Sequence, residues 1–291
     1  KSLVGPGDRV VVSGFEHNAV MRPLVAVGAD VVIVGRTLFD HAKALMEFEA
    51  AITPETKAVI CTHVSNVFGY VLPVEKIAQL CRERKVPFIL DASQSAGCLD
   101  VSMEKLGAAF IAMPGHKGLY GPQGTGILLC DDLGKTLLEG GTGSQSQLLT
   151  MPEFLPDRHE AGTHNVTGIC GLKKGIEFVL EKTPAAILKH EQKLITLAGE
   201  KLAQTGGIHC FIGPICVQAG VLSFTVDGHD CEEVGQYLAD HGIAVRAGLH
   251  CAPVAHESAE TIQTGTVRVS VGAFNHKRDI SALARCLQQF Q

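Results

Sequence analysis

Short, wholly apolar runs alternate with helical stretches along the first half of the chain, and that alternation leaves few folds open. The segments 8–13 (DRVVVS), 30–34 (DVVIV), 57–62 (KAVICT) and 86–90 (VPFIL) each read as a strand without a polar face. A strand that is apolar on both sides must be covered on both sides, which βαβ crossovers achieve directly. Segment 18–28 reads as a helix, as does 73–85 (PVEKIAQLCRERK), with proline in its first turn and basic residues at its end, where the free N–H positions and the helix dipole favour them. The expected fold class is α/β, with a mostly parallel central sheet covered by helices. Ligands of such sheets bind beyond the carboxyl ends of the strands, so the first polar residues there are the ones to inspect.

Another strand at 109–113 leads into the glycine-rich loop 114–126 (PGHKGLYGPQGTG), which precedes an apolar run at 127–130. Helices are expected over 171–181 and 184–204. A smaller α/β unit follows, with strands at 220–226, 243–246 and 266–271 and helices at 230–241 and 277–289. The expected division is a large domain over 1–183 and a small C-terminal α/β domain over 184–291, with a cleft between them.

Composition narrows the function classes. The net charge is −5 and the 25 Lys and Arg are scattered, so there is no basic stripe of the kind nucleic acid requires. No apolar run reaches the roughly 18 residues of a membrane span, and the first residues lack the layout of a signal peptide; a cytoplasmic protein is expected. The ten cysteines lie far apart with no CxxC pair, and read as reduced thiols, most of them small buried hydrophobes. The thirteen histidines form no HExxH or similar ligand pattern, and no dedicated metal site is expected.

Asp91 follows VPFIL directly, and DASQSAG (91–97) places Gln94 close behind it. A carboxylate at the end of a buried strand is costly unless something cationic faces it; the plainer reading is that Asp91 caps the segment that follows. GHKG puts Lys117 in a glycine-flanked loop after a strand, where its amine can project into the same cleft, although a lone lysine there is most often simply solvated. Together the two fit pyridoxal phosphate, which needs a lysine for covalent attachment and a carboxylate to keep its ring nitrogen protonated as an electron sink. A flat group against the ring and a polar group at its phenolic oxygen are also needed. EHN (16–18) offers His17 and THVSN (62–66) offers Asn66, each just after a strand.

The series EHNAVMRP, THVSNVFG, DASQSAG, GHKGLYGPQGTG, EAGTHN, VRAGLHCAP and VRVSVGAFN, in this order over almost the whole chain, resembles the motifs of cysteine desulfurases and selenocysteine lyases in the class V aminotransferase group. The resemblance implies a fold-type I, pyridoxal-phosphate-dependent homodimer that converts L-cysteine to L-alanine, passing the sulfur to an enzyme cysteine and onward to a protein acceptor. It implies that Lys117 carries the cofactor, Asp91 pairs with the ring nitrogen and His17 stacks on the ring. Gln94 and Asn66 would hydrogen-bond near the phenolic oxygen, with Asn66 also bordering the substrate, and His116 would help to hold the phosphate. Thr163 would reach the phosphate of the neighbouring subunit. Arg268 matches the arginine that grips the substrate carboxylate, a task suited to a planar bidentate fork, and Arg246 matches a second active-site arginine. Cys251 matches the cysteine that takes the sulfur; its thiolate is the nucleophile, and Arg246 and His250 are expected to favour that form.

Four departures from the family pattern carry expectations of their own. Members have an N-terminal arm ahead of the first residues here, with a loop that donates to the phosphate, and a shortened chain is expected to lack that part of the phosphate cup. Pro114 stands where a serine usually donates to the phosphate, and it offers neither hydroxyl nor N–H. Gly118 reads as an extra residue after the lysine, and Leu249 replaces a common histidine. A divergent branch is expected, with two alternatives: another class V enzyme (an aminotransferase, or a selenocysteine or cysteine sulfinate lyase) in which Cys251 is dispensable, or a cofactor-free homologue acting as a binding partner.

Overall fold

A computed structural model of the chain describes residues 1–131 and 134–290. Its first half runs β1 (Arg9–Ser13), α1 (Asn18–Val27), β2 (Asp30–Val34), α2 (His41–Ala51), β3 (Thr56–Thr62), α3 (Val74–Glu83), β4 (Phe88–Asp91), α4 (Met103–Leu106), β5 (Phe110–Pro114) and β6 (Gly126–Cys130). These strands form one sheet in the order β2-β1-β3-β4-β5-β6. Every pair is parallel except β5 with β6. The mostly parallel α/β sheet expected from the sequence is therefore present. Val10, Val11 and Val12 are fully buried in β1, as are Ala58, Val59 and Cys61 in β3, because helices and loops cover both faces of these central strands.

Past β6 come α5 (Val166–Lys182), α6 (Pro184–Leu202), β7 (Ile208–Phe211), β8 (Val221–Val226), α7 (Cys231–Asp240), β9 (Arg246–Gly248), α8 (Pro253–Ser258), β10 (Thr266–Ser270) and α9 (Lys277–Phe290). The second sheet, β7-β8-β10-β9, is wholly antiparallel. Its apolar side packs on α6, α7 and α9 through Leu222, Phe224 and Val267 against Ile195, Leu202, Val234 and Leu283. The strand expected at 243–246 is displaced, because the ladder to β10 begins only at Arg246 and continues to Gly248. The elements α2, α4, β7 and α8 fall where the sequence predicts none.

Hydrogen bonds stitch the two sheets' units together along one seam. The Ser223 hydroxyl donates to Val67 O (2.6 Å), the Gln218 amide to Phe68 O (3.0 Å) and the Ser258 hydroxyl to Gly14 O (2.7 Å). Gly118 has a structural reason to be glycine: a Cβ there would lie 2.3 Å from Ala96 O. A Cβ on Gly97 would lie 1.9 Å from Gly118 O, so the loop after β5 is pressed against the turn after β4. That contact sets Lys117 close to the end of β4.

Candidate active site

The carboxyl ends of β1, β3, β4 and β5 face the second sheet across a cavity of about 370 Å³. Its wall includes His17, Asn66, Asp91, Gln94, His116, Lys117, Arg246 and Arg268. Eight of the ten candidate residues thus come from six separate loops or strands to one place. Cys251 and Thr163 do not line it.

Asp91 ends β4 in register with Thr62 of β3 and accepts the Ser93 N–H at Oδ1 (2.9 Å). That turn satisfies one oxygen without a helix to cap, so the capping reading accounts for only part of the carboxylate. The cation expected opposite it is Lys117. Burial of the lysine amine lowers its pKa, Asp91 pulls it back up, and Arg268 lowers it further. His17 caps α1 by accepting the Ala19 N–H at Nδ1 (3.0 Å), which leaves the ring proton at Nε2. Burial first, then the Lys117 charge, lowers the His17 pKa, so its ring faces the cavity as a neutral flat surface.

Asn66 is buried and donates its amide N–H to His250 O (2.8 Å), while its Oδ1 meets no partner. Arg268 donates to Asn66 O through Nη1 (3.0 Å), and its buried Nε is likewise unpartnered. Arg268 also stands directly across the β9–β10 ladder from Arg246. Two like charges opposite each other destabilise an antiparallel pair, and an anion bound between them removes that cost.

Cys251 is exposed beside this cavity, with the Arg246 guanidinium 3.9 Å from Sγ. Its carbonyl accepts the Asn18 N–H at the start of α1 (2.8 Å). His250 and Cys251 both hold positive φ, 51° and 57°, which for two consecutive non-glycine residues is backbone strain of the kind that gathers at functional sites. His250 departs from expectation. Its ring is turned inward to Thr266, and burial, followed by Arg268, lowers its pKa to about 3. It is neutral, and Arg246 is the cation that faces the sulfur.

A family model for aminotransferase class-V matches residues 1–283. The chain belongs to the class-V aminotransferase family. Among the relatives of this aminotransferase-family chain, the "probable cysteine desulfurase" of Methanothermobacter thermautotrophicus is 33% identical over 97% of the chain and 73% of its own length. "Probable cysteine desulfurase 1" of Mycobacterium leprae is 35% identical over 98% of the chain, which spans only 47% of that longer protein. The apo cysteine desulfurase from Thermococcus onnurineus superposes with a TM-score of 0.87 at 30% identity, covering 99% of this chain and 73% of that one. The Escherichia coli cysteine desulfurase CsdA gives the same TM-score at 28% identity, with 98% and 72% covered.

Class-V membership makes pyridoxal phosphate the group to test against the cavity. The volume falls in the range of small-molecule sites, about 300–1,000 Å³. The donor set suits the group: an amine, a carboxylate, a neutral flat imidazole, and the orphaned Asn66 Oδ1 and Arg268 Nε, which are costly to leave buried without a ligand. Pro114 lines the cavity without a donor, as expected, whereas Ser93 and Thr62, to which the sequence assigned no role, also line it, the Thr62 hydroxyl donating to Val64 O (3.1 Å). Both were findable, since each follows or ends an apolar strand in the same way as Asp91. Thr163 is exposed outside the cavity, between β6 and α5.

Proposed function

We propose that this chain, with pyridoxal phosphate held in the cavity, is a cysteine desulfurase that takes sulfur from L-cysteine onto Cys251 and releases L-alanine. The observation that carries the reading is the convergence on one cavity of an amine, a carboxylate opposite it, a cross-strand arginine pair and, at its edge, a strained exposed cysteine facing Arg246. Relatives named cysteine desulfurase support the choice of substrate over the whole of this chain's length, though the chain spans less than half of one of them.

Lys117 is the covalent anchor, Asp91 the partner of the ring nitrogen, His17 the stacking surface, and Gln94 with Asn66 the contacts near the phenolic oxygen. His116 contributes to phosphate binding. When bound, the cofactor supplies an electron sink that lets bonds at the substrate's Cα and Cβ break. Arg268, anchored by Asn66 O, and Arg246 opposite it clamp the substrate carboxylate. With its pKa lowered, the Lys117 amine more readily becomes neutral and can take up and return a proton at Nζ. Cys251 Sγ forms a bond to the substrate sulfur as the carbon–sulfur bond breaks. The electron pair of the broken bond stays with carbon, which takes up a proton on the way to alanine.

The protein works as a homodimer in this reading, with Thr163 offered to the cavity of the second subunit. Its sulfur goes on to a protein acceptor, in the cytoplasm, where thiols stay reduced. Cys251 is a free thiol, and no helix among the described residues is long and apolar enough to cross a membrane. Absorption spectroscopy of the purified protein titrated with pyridoxal phosphate tests the assignment of Lys117. A visible band that is absent from Lys117→Ala is expected; no band, or one that survives the substitution, overturns the cofactor assignment.

A further inference from the structure

We propose that Glu16 is a positioning residue for this site: a buried neutral acid that ties the ends of β1 and β3 together and so holds His17 and Asp91 in place without adding a second negative charge beside Asp91. The inference rests on the reading that the cavity holds pyridoxal phosphate. Glu16 is completely buried. Its Oε1 accepts two donors, the Ser13 hydroxyl at the end of β1 and the Thr62 N–H at the end of β3 (2.7 Å). The Ser13 oxygen in turn accepts the Phe15 N–H (3.2 Å). Thr62 is the register partner of Asp91 on β4, and His17 is the next residue in the chain. One carboxyl therefore joins the strand that delivers His17 to the strand that sets the height of Asp91.

The charge state follows from the surroundings. Oε2 meets no partner, and an ionised carboxylate with a bare buried oxygen is heavily penalised. The titratable groups that face Glu16 are Asp91 from the end of β4 and the Cys61 thiol of β3, and neither supplies positive charge. Burial raises the Glu16 pKa to about 8; the hydrogen bonds from Ser13 and Thr62 oppose the rise and Asp91 adds to it. Below that pH the proton sits on Oε2, because Oε1 is already taken by two donors.

Glu16→Gln keeps the volume, the neutrality and an acceptor for both donors; Glu16→Ala leaves Ser13 and Thr62 without an acceptor beside a hole. Pyridoxal phosphate affinity, read by absorbance titration, is expected to stay within about threefold in the Gln variant and to fall about tenfold or more in the Ala variant. Infrared spectroscopy of the protein without cofactor is expected to show a protonated-carboxyl stretch at about pH 6. Glu191, whose burial raises its pKa to about 7, contributes to that stretch as well; the Glu16 component is the part that disappears in Glu16→Gln and titrates in the wild type near pH 8. An Ala variant that binds like the wild type, a Gln variant that fails like Ala, or no such band overturns the inference. Should Glu16→Ala not fold, Ser13→Ala decides: a loss of about threefold or more is expected, and wild-type affinity overturns the role. Wild-type protein that takes up no cofactor overturns the functional reading itself, a result distinct from failure of the Glu16 variants alone.

Discussion

At the scale of single residues, the site combines groups that are unfavourable until a ligand arrives. Arg246 and Arg268 face each other across the β9–β10 ladder, and burial and Arg246 both depress the Arg268 pKa. Replacing Arg246 with alanine is expected to raise stability by about 0.5 kcal/mol in urea unfolding, since like-charge pairs across strands cost about 0.2–1 kcal/mol. The same variant is expected to raise KM for cysteine about tenfold in steady-state assays, the worth of one charge-assisted hydrogen bond. The place of Asp91 at the cavity was legible in the sequence because a polar residue ending a buried strand is exceptional, and that of Lys117 because it sits in a glycine-flanked loop just after another strand. Glu16 was not, because an acid in the string EHN reads as exposed until the register of β1 against β3 buries it. The sign of His250 was missed for the same reason: its neutrality comes from burial against Thr266, sixteen residues away in sequence.

At the scale of elements, the parallel strands were readable because being apolar on both faces is a strong and local signal. The helix α2 (HAKALMEFEAA) escaped because its buried residues are only Ala44 and Phe48, too narrow a stripe to stand out. Its start is fixed instead by Asp40, whose side chain accepts the Lys43 N–H (2.9 Å). Asp40→Ala is expected to lower stability by about 1 kcal/mol, measured by thermal or denaturant unfolding, as loss of a helix N-cap does. Strand β7 (IHCF) is a four-residue edge strand paired only with β8, and nothing in so short a run separates it from a loop. For β9, the apolar 243–245 drew the expected strand too early, whereas the ladder uses RAG, which places Arg246 rather than Val245 opposite Arg268.

At the scale of the whole molecule, the cavity exists only where the parallel sheet's carboxyl edge meets the antiparallel sheet, and no segment alone could have displayed it. The described residues 134–165 between β6 and α5 contain neither helix nor strand, yet Leu148, Leu149 and Phe154 stand exposed there, with Val166 and Ile169 close behind. Exposed apolar side chains are what a subunit interface would cover, and these lie near in sequence to Thr163, the residue proposed to serve a second subunit. If the protein is the proposed homodimer, Leu149→Glu is expected to shift its sedimentation toward monomer, whereas an unchanged dimer profile would remove these residues from the interface. The central claim, that Lys117 and Cys251 act together in sulfur transfer, is tested most directly by mass spectrometry of the pyridoxal-phosphate-loaded protein after brief exposure to L-cysteine. One additional sulfur atom on Cys251, absent from the Lys117→Ala variant, is the expected result; alanine formation by the wild type with Cys251 unmodified throughout the time course would contradict it.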